Sequence, residues 1–235
     1  MSAVDWLWRL PGGALVLTIL VAGPPGRWGA ATWEDELLPG RAVRELHLDV
    51  ERGDVTLLLG PVARIRRAAP AWASALDLRH HLEAGRLRLS ARCRVLTDCP
   101  VTHVITAPEH TRVRLRMGQG TLRAVGVAHI DAQISRGDAI VSDPHELRLA
   151  VGSGRVRLSA RAPVRVEVSV SEGDVDAALP ASTAALGLVG RELSLEGIEL
   201  KGAQPADPAI RLAAPGGRVQ VVGLGPTTAP QPAPW

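Results

Sequence analysis

The fold class predicted by this sequence is all-β, a parallel β-solenoid wound right-handed over about eight to ten short coils. Three observations predict it. The phrase "RLAVGSGRVRLS" (148–159) recurs in variant form along the chain, always around a glycine. On both sides of that glycine apolar and polar residues alternate with period two, the pattern of strand and not of helix. The chain also has no Phe and no Tyr. A core of Val, Leu, Ile and Ala suits thin stacked layers. An antiparallel β-sandwich built of hairpins is the alternative that the same two-strand unit permits.

Residues 1–31 hold Arg9, an apolar run from Ala14 to Ala22, helix breakers, and then Gly29, Ala30 and Ala31. This is the order of a secretory signal peptide, with cleavage expected after Ala31. The run is short for a membrane span, which needs about 20 apolar residues; an uncleaved anchor in the membrane is the alternative. Residues 32–45, charged and broken by Pro39, are expected to cap the first repeat.

The repeat domain covers 46–224. Its segments align on Gly53, Gly85, Gly120, Gly137, Gly154, Gly173 and Gly217. Seven residues before the glycine stand Leu46, Leu78, Val113, Ile130, Leu147, Val166 and Ile210, all aliphatic. Two residues after it stand Val55, Leu87, Leu122, Ala139, Val156, Val175 and Val219. The position between, six before the glycine, is polar throughout: His47, Arg79, Arg114, Asp131, Arg148, Glu167 and Arg211. Turns such as "ERGD", "SRGD" and "SEGD" use glycine for positive φ and Asp to bond nearby backbone. The G-x-G in "GQG" and "GSG" is not a phosphate cradle, because the third glycine and the following helix are missing.

The central glycines at 120, 137, 154 and 173 are regularly spaced, but the gaps from 53 to 85 and from 85 to 120 are about twice as long. Degenerate coils are therefore expected within 61–77 and 94–112. "ELSLEGIELKG" (192–202) reads as a further strand–turn–strand unit inside the long gap before Gly217. No single unit can bury both its faces, so several must stack. Residues 225–235 form a Pro-rich tail expected to be disordered.

The net charge is +3, and Lys201 is the single Lys beside 26 Arg among the 27 basic residues. The basic residues alternate with apolar ones along strands, without a recognition helix or interleaved aromatics, which excludes a nucleic-acid reader.

Over 103–160, the extended segment ending in Ala107-Pro108 and the repeated apolar strand, glycine turn and apolar strand resemble the bacterial putative-adhesin family of β-strand-repeat domains of unknown function. The resemblance is clearest over 100–180 and extends over 45–224. It implies a single-stranded, right-handed β-helix outside the cytoplasm, with structural glycines and turn acids and no catalytic set. The Gly-Asp-Val or Gly-Asp-Ala turn is kept at 53–55, 137–139 and 173–175, whereas Arg or Thr follows the glycine elsewhere.

Several residues carry candidate chemistry. Cys93 and Cys99 are expected to form a local disulfide if the chain is exported. Their spacing with His103 and His110 is not that of a familiar metal finger, and no metal or cofactor is expected. Adjacent His80 and His81 point to opposite faces of a strand. Asp54, Asp138 and Asp174 could line up as an acidic ladder of the kind solenoid glycosidases use, but their periodicity fits turn capping better. Arg79, Arg114, Arg148 and Arg211 share one outward column, and Arg88, Arg123 and Arg157 another. Stacked, these columns would offer an anion-binding surface to an anionic polysaccharide or an envelope protein. The plainer reading, which the interspersed Asp131, Glu167 and Asp176 favour, is a solvated face. The expected function is an exported, non-enzymatic, monomeric module with a structural or adhesive role at the bacterial cell envelope. A bactofilin-like self-assembling scaffold is the alternative, and a carbohydrate-active β-helix enzyme is less favoured, since the repeats hold no aromatic platform.

Overall fold

A computed structural model describes residues 31–37, 43–70, 76–93, 100–162, 164–180, 186–196 and 209–224. The repeated unit is an extended segment bent at its central glycine into two limbs. Strands β2 (Glu45–Leu59), β7 (Arg112–Val125), β8 (His129–Ser142) and β14 (Ile210–Leu224) run through the bend. In two other units the bend separates β9 (Glu146–Ser153) from β10 (Val156–Ser159), and β11 (Arg165–Glu172) from β12 (Val175–Pro180). The remaining strands are β1 (Ala31–Leu37), β3 (Arg64–Pro70), β4 (Leu76–Glu83), β5 (Arg86–Cys93), β6 (Val101–Ala107) and β13 (Leu186–Glu196). No helix occurs among the described residues, and none is therefore long and apolar enough to cross a membrane.

Neighbouring units pair in parallel, like residue on like residue. Between β7 and β8, Val113 lies opposite Ile130, Gly120 opposite Gly137, and Leu122 opposite Ala139. The first limbs form the ladder β4–β5–β2–β7–β8–β9–β11–β14–β13. The second limbs form β1–β3–β6–β2–β7–β8–β10–β12–β14–β13. Because β8 and β14 belong to both ladders, β8, β9, β11, β14, β12 and β10 close on themselves as a six-stranded parallel barrel, with the other strands outside it. Antiparallel pairs among the described residues are β1–β3, β3–β6 and β4–β5. The repeat itself is thus not the hairpin sandwich that the sequence also allowed.

The inward columns are closed to solvent. Leu46, Val113, Ile130, Leu147, Val166 and Ile210 are at most 3 % exposed, and Val55, Leu122, Ala139, Val156, Val175 and Val219 are fully buried. The glycine column has a steric cause. Gly137 has φ +137°, and a Cβ placed on it would lie 1.8 Å from the carbonyl oxygen of Gly120. The same overlap, 1.7–1.9 Å, recurs along Gly53, Gly120, Gly154, Gly173 and Gly217, so the backbones at the bend approach more closely than any side chain permits.

The order of stacking departs from the order of the chain at both ends. The segment 78–92, read as a coil about Gly85, is a hairpin: β4 turns through Ala84 (φ 48°) and Gly85 (φ 79°) into antiparallel β5. Leu87 consequently pairs with Leu46 in the first-limb ladder, not with the second-limb residues. The second limb of that layer is β6, where Val101 faces Gly53 and His103 faces Val55. Of the two expected degenerate coils, 61–77 instead contributes β3, which runs antiparallel to β6, and 94–112 contributes β6. This layer stacks on the far side of β2 from β7, which is why Gly53 and Gly120 are neighbours despite the long excursion between them. At the other end β14, last in sequence, lies between the β11/β12 layer and β13. Within the expected cap, β1 adds an antiparallel edge strand to β3. Residues 1–30 and 225–235, which carry the expected signal and tail, lie outside the described residues.

Candidate functional site

The hairpin slip determines what lies on the outer face of the first-limb ladder. Strand alternation sends Leu87 and Leu89 inward and Arg88 and Ser90 outward, and the antiparallel register brings His81 opposite Arg88 and Arg79 opposite Ser90. Arg88 therefore joins the outward column of His47 and Arg114, and leaves that of Arg123 and Arg157. Together β4, β5, β2, β7 and β8 enclose a concavity of about 590 Å³ on this face. Its floor is formed by two rows: His81, Arg88, His47, Arg114 and Asp131, and beside it Arg79, Ser90, Asp49, Arg116 and Gln133.

Beyond β7 the first row alternates in sign: Arg114 faces Asp131, Asp131 faces Arg148, Arg148 faces Glu167, and Glu167 faces Arg211. Opposite charges on adjacent strands attract, and like charges repel. Of the sequence-predicted surface, Arg148 stands between Asp131 and Glu167, Arg211 stands between Glu167 and Gly187, Arg123 and Arg157 are separated by Ile140 in the second-limb ladder, and Arg79, Arg88 and Arg114 converge on the concavity.

Of the nearby acids, Glu45 beside the groove and Asp49 within it are engaged, while Asp131 lines the groove opposite Arg114. Glu45 accepts a 2.7 Å hydrogen bond from Arg86 Nε and lies 3.3 Å from His47 Nε2. Arg86 first, and then His47, hold the Glu45 carboxyl below the usual carboxylate range. Asp49 accepts a 2.6 Å bond from Arg92, whose guanidinium is held above its ordinary value by that bond.

The turn acids have a structural occupation. Asp54 Oδ1 accepts from the backbone N–H of Thr121 (3.0 Å), Asp138 Oδ1 from that of Arg155 (2.9 Å), and Asp174 Oδ1 from that of Arg218 (3.0 Å). Each donor belongs to the next layer and follows that layer's central glycine, so the acid ties one bend to the next.

One polar residue stands where sequence reasoning placed only aliphatics. His103 occupies the inward second-limb column beside Val55, is 1 % exposed, and faces Arg67, itself 4 % exposed, across the β3–β6 pair. Its Nδ1 is buried without a hydrogen-bond partner among the described residues. Burial, and secondarily Arg67, push the imidazole down to about 4, so it is neutral. The sequence signal was its spacing of two from Val101 and Ile105 in an alternating strand. His110 lies in the exposed turn after β6, away from the core side chain of His103. Cys93 ends β5, and Cys99 lies outside the described residues, as do the side chains of Leu78 and His80. No group of three or more metal-ligating side chains comes together among the described residues.

No family model and no curated protein sequence matches the chain. Solved structures with loose likeness include a "putative cell adhesion protein" from Clostridium sporogenes, 14 % identical with a TM-score of 0.47, the match covering 83 % of this chain and 100 % of that one. A "putative adhesin" from Parabacteroides distasonis is 11 % identical (TM-score 0.41; 82 % and 97 % covered). A "putative lipid binding protein" from the same organism is 10 % identical (TM-score 0.35; 80 % and 96 % covered). At such scores the fold and the site rest on this chain's own pairing and chemistry.

Proposed function

We propose that this chain is an exported, non-enzymatic β-solenoid module, wound right-handed as a single-stranded β-helix, with an adhesive or structural role at the bacterial envelope. The observation that carries the reading is the use of Asp54, Asp138 and Asp174 as ties between layers. These periodic acids would be the natural catalytic ladder of a glycosidase, and their carboxylates instead serve backbone N–H groups that the bend leaves open. What the stack then offers is surface: the outer faces of the two ladders, charged along the first limbs and mixed with Val125, Ile140 and Val222 along the second. The signal-like order of residues 1–31 supports export. The test is the mature N-terminus and cellular fraction of the native protein by mass spectrometry. A start near Thr32 in the envelope fraction is expected; an intact Met1 in the cytosol overturns the reading.

A second reading, a self-assembling scaffold, is favoured by one feature. β13 pairs only with β14 among the described residues, and it exposes Val189 (58 %), Leu193 (51 %) and Leu195 (49 %). The module reading expects a monomer by sedimentation of the mature chain, and the scaffold reading expects filaments.

A further inference from the structure

We propose that the groove beneath the β4–β5 hairpin binds an acidic polysaccharide, with Arg88, Arg114 and Arg116 as its principal anchors. The inference deepens the adhesive reading by naming the ligand class.

Its basis is a break in charge pattern. From Arg114 to Arg211 the outer row of the first-limb ladder alternates acid with base on every strand. From β4 to β7 it does not: His81 faces Arg88, Arg88 faces His47, and His47 faces Arg114, with no acid among them. Glu45 and Glu83 lie 3.3 and 3.5 Å from His47 and His81, outside the row, and no acid faces the guanidinium of Arg88 from either neighbouring strand. The neighbouring row adds Arg79 and Arg116, and its one acid, Asp49, is engaged by Arg92. No ion pair or side-chain hydrogen bond among the described residues engages Arg88, Arg114 or Arg116, all of which are exposed. The concavity of about 590 Å³, lined in part by the β4–β5 hairpin, is of the size that holds a small ligand or a few sugar units.

Lining chemistry selects the partner. Protein interfaces are built around apolar and aromatic anchors. The exposed large aliphatics of the described residues (Leu59, Val62, Val125, Val189, Leu193, Leu195 and Val222) all lie outside this groove. With no aromatic ring among the lining residues, a neutral sugar has no stacking platform. Guanidinium groups take carboxylates and sulfates bidentately, and Ser90, Gln133 and the imidazoles of His47 and His81 suit hydroxyl groups. The occupant is therefore a polyhydroxylated chain bearing anionic groups.

The test uses the mature chain and a fluorescently labelled oligogalacturonate, with binding followed by anisotropy at low and physiological salt. The unmodified protein is expected to bind it, and to bind neither a maltooligosaccharide of equal length nor oligoglutamate comparably. Arg88→Ser combined with Arg114→Ser is expected to weaken binding by about tenfold or more, the loss of charge-assisted contacts. The matched control, Arg148→Ser with Arg211→Ser, removes the same charge from the alternating part of the same row and is expected to change binding less than about twofold. Absence of binding by the unmodified protein overturns the inference, as does equal weakening by both double variants, or oligoglutamate binding as tight as oligogalacturonate. A cytosolic location would overturn the envelope reading without altering this binding result, and unbound oligogalacturonate would overturn the ligand without altering the location. Shortening of the oligosaccharide during incubation would overturn the non-enzymatic reading alone.

Discussion

The carboxylate of Asp138 accepts the backbone N–H of Arg155, seventeen residues on and one layer up, at 2.9 Å. With the backbone bond from the Ala139 N–H to the Arg155 carbonyl (2.9 Å), this contact spans the bend between these two layers. Asp138→Ala leaves the N–H to water and is expected to lower stability by about 1 kcal/mol, while Asp138→Asn, whose side-chain oxygen still accepts, loses less. Urea unfolding of the two variants at neutral pH checks the difference.

Gly137 is expected to be far less tolerant than Gly126. A Cβ at Gly137 meets the Gly120 carbonyl oxygen at 1.8 Å, and φ is +137°; at Gly126 (φ +68°) the nearest atom is the Leu59 Cβ at 3.3 Å. Gly137→Ala should cost about 3 kcal/mol or more, because backbone in the adjoining layer must move. Gly126→Ala should cost about 1 kcal/mol. Thermal or denaturant midpoints of the two variants measured side by side decide it.

His103 should make the protein acid-sensitive. Its folded value near 4 lies below the ordinary 6.5 that it regains on unfolding, so the unfolded chain binds a proton that the folded chain refuses. The stability it permits is full above about pH 6.5 and declines as pH falls towards 4, by at most about 3 kcal/mol. His103→Leu should flatten that part of the stability–pH curve relative to the unmodified protein. Denaturant midpoints at a series of pH values provide the measurement, and unchanged slopes would count against it.

The bridge expected between Cys93 and Cys99 should show in the native protein as a mass lighter by two hydrogen atoms before reduction. Its loop is short, so Cys93→Ser should cost only about 2 kcal/mol.

Period-two alternation and the glycine spacing made most of this fold legible, since both follow from local backbone geometry. Outside the 78–92 segment, the columns led by Leu46 and Val55 proved to be the inward rows of the two ladders. What alternation cannot encode is which ladder a strand joins. "LRHHLEAGRLRLSAR" carries the same apolar rhythm as its sister segments, yet Ala84-Gly85 closes a two-residue hairpin where the others bend, and Leu87 moves by half a repeat. The groove was hidden for that reason: Arg88 was assigned to the column of Arg123 and Arg157, and only the slipped register puts it beside His47 and Arg114. His103 shows the opposite limit. Its polar side chain interrupts an aliphatic column, and alternation alone says that it points inward without saying what it meets there.

The position of β14 bears on how the protein is made. Synthesis delivers β13 before the strand that joins it to the rest of the body exists, since β14, the last of the described strands, lies between β13 and the β11/β12 layer. Likewise β2 emerges well before the β5/β6 layer on one side and β7 on the other. Neither end of the stack can be completed in the order of translation. A chain threaded through a narrow translocation pore from its N-terminus would leave the pore with its last layer open, and would lock only when Leu224 had followed.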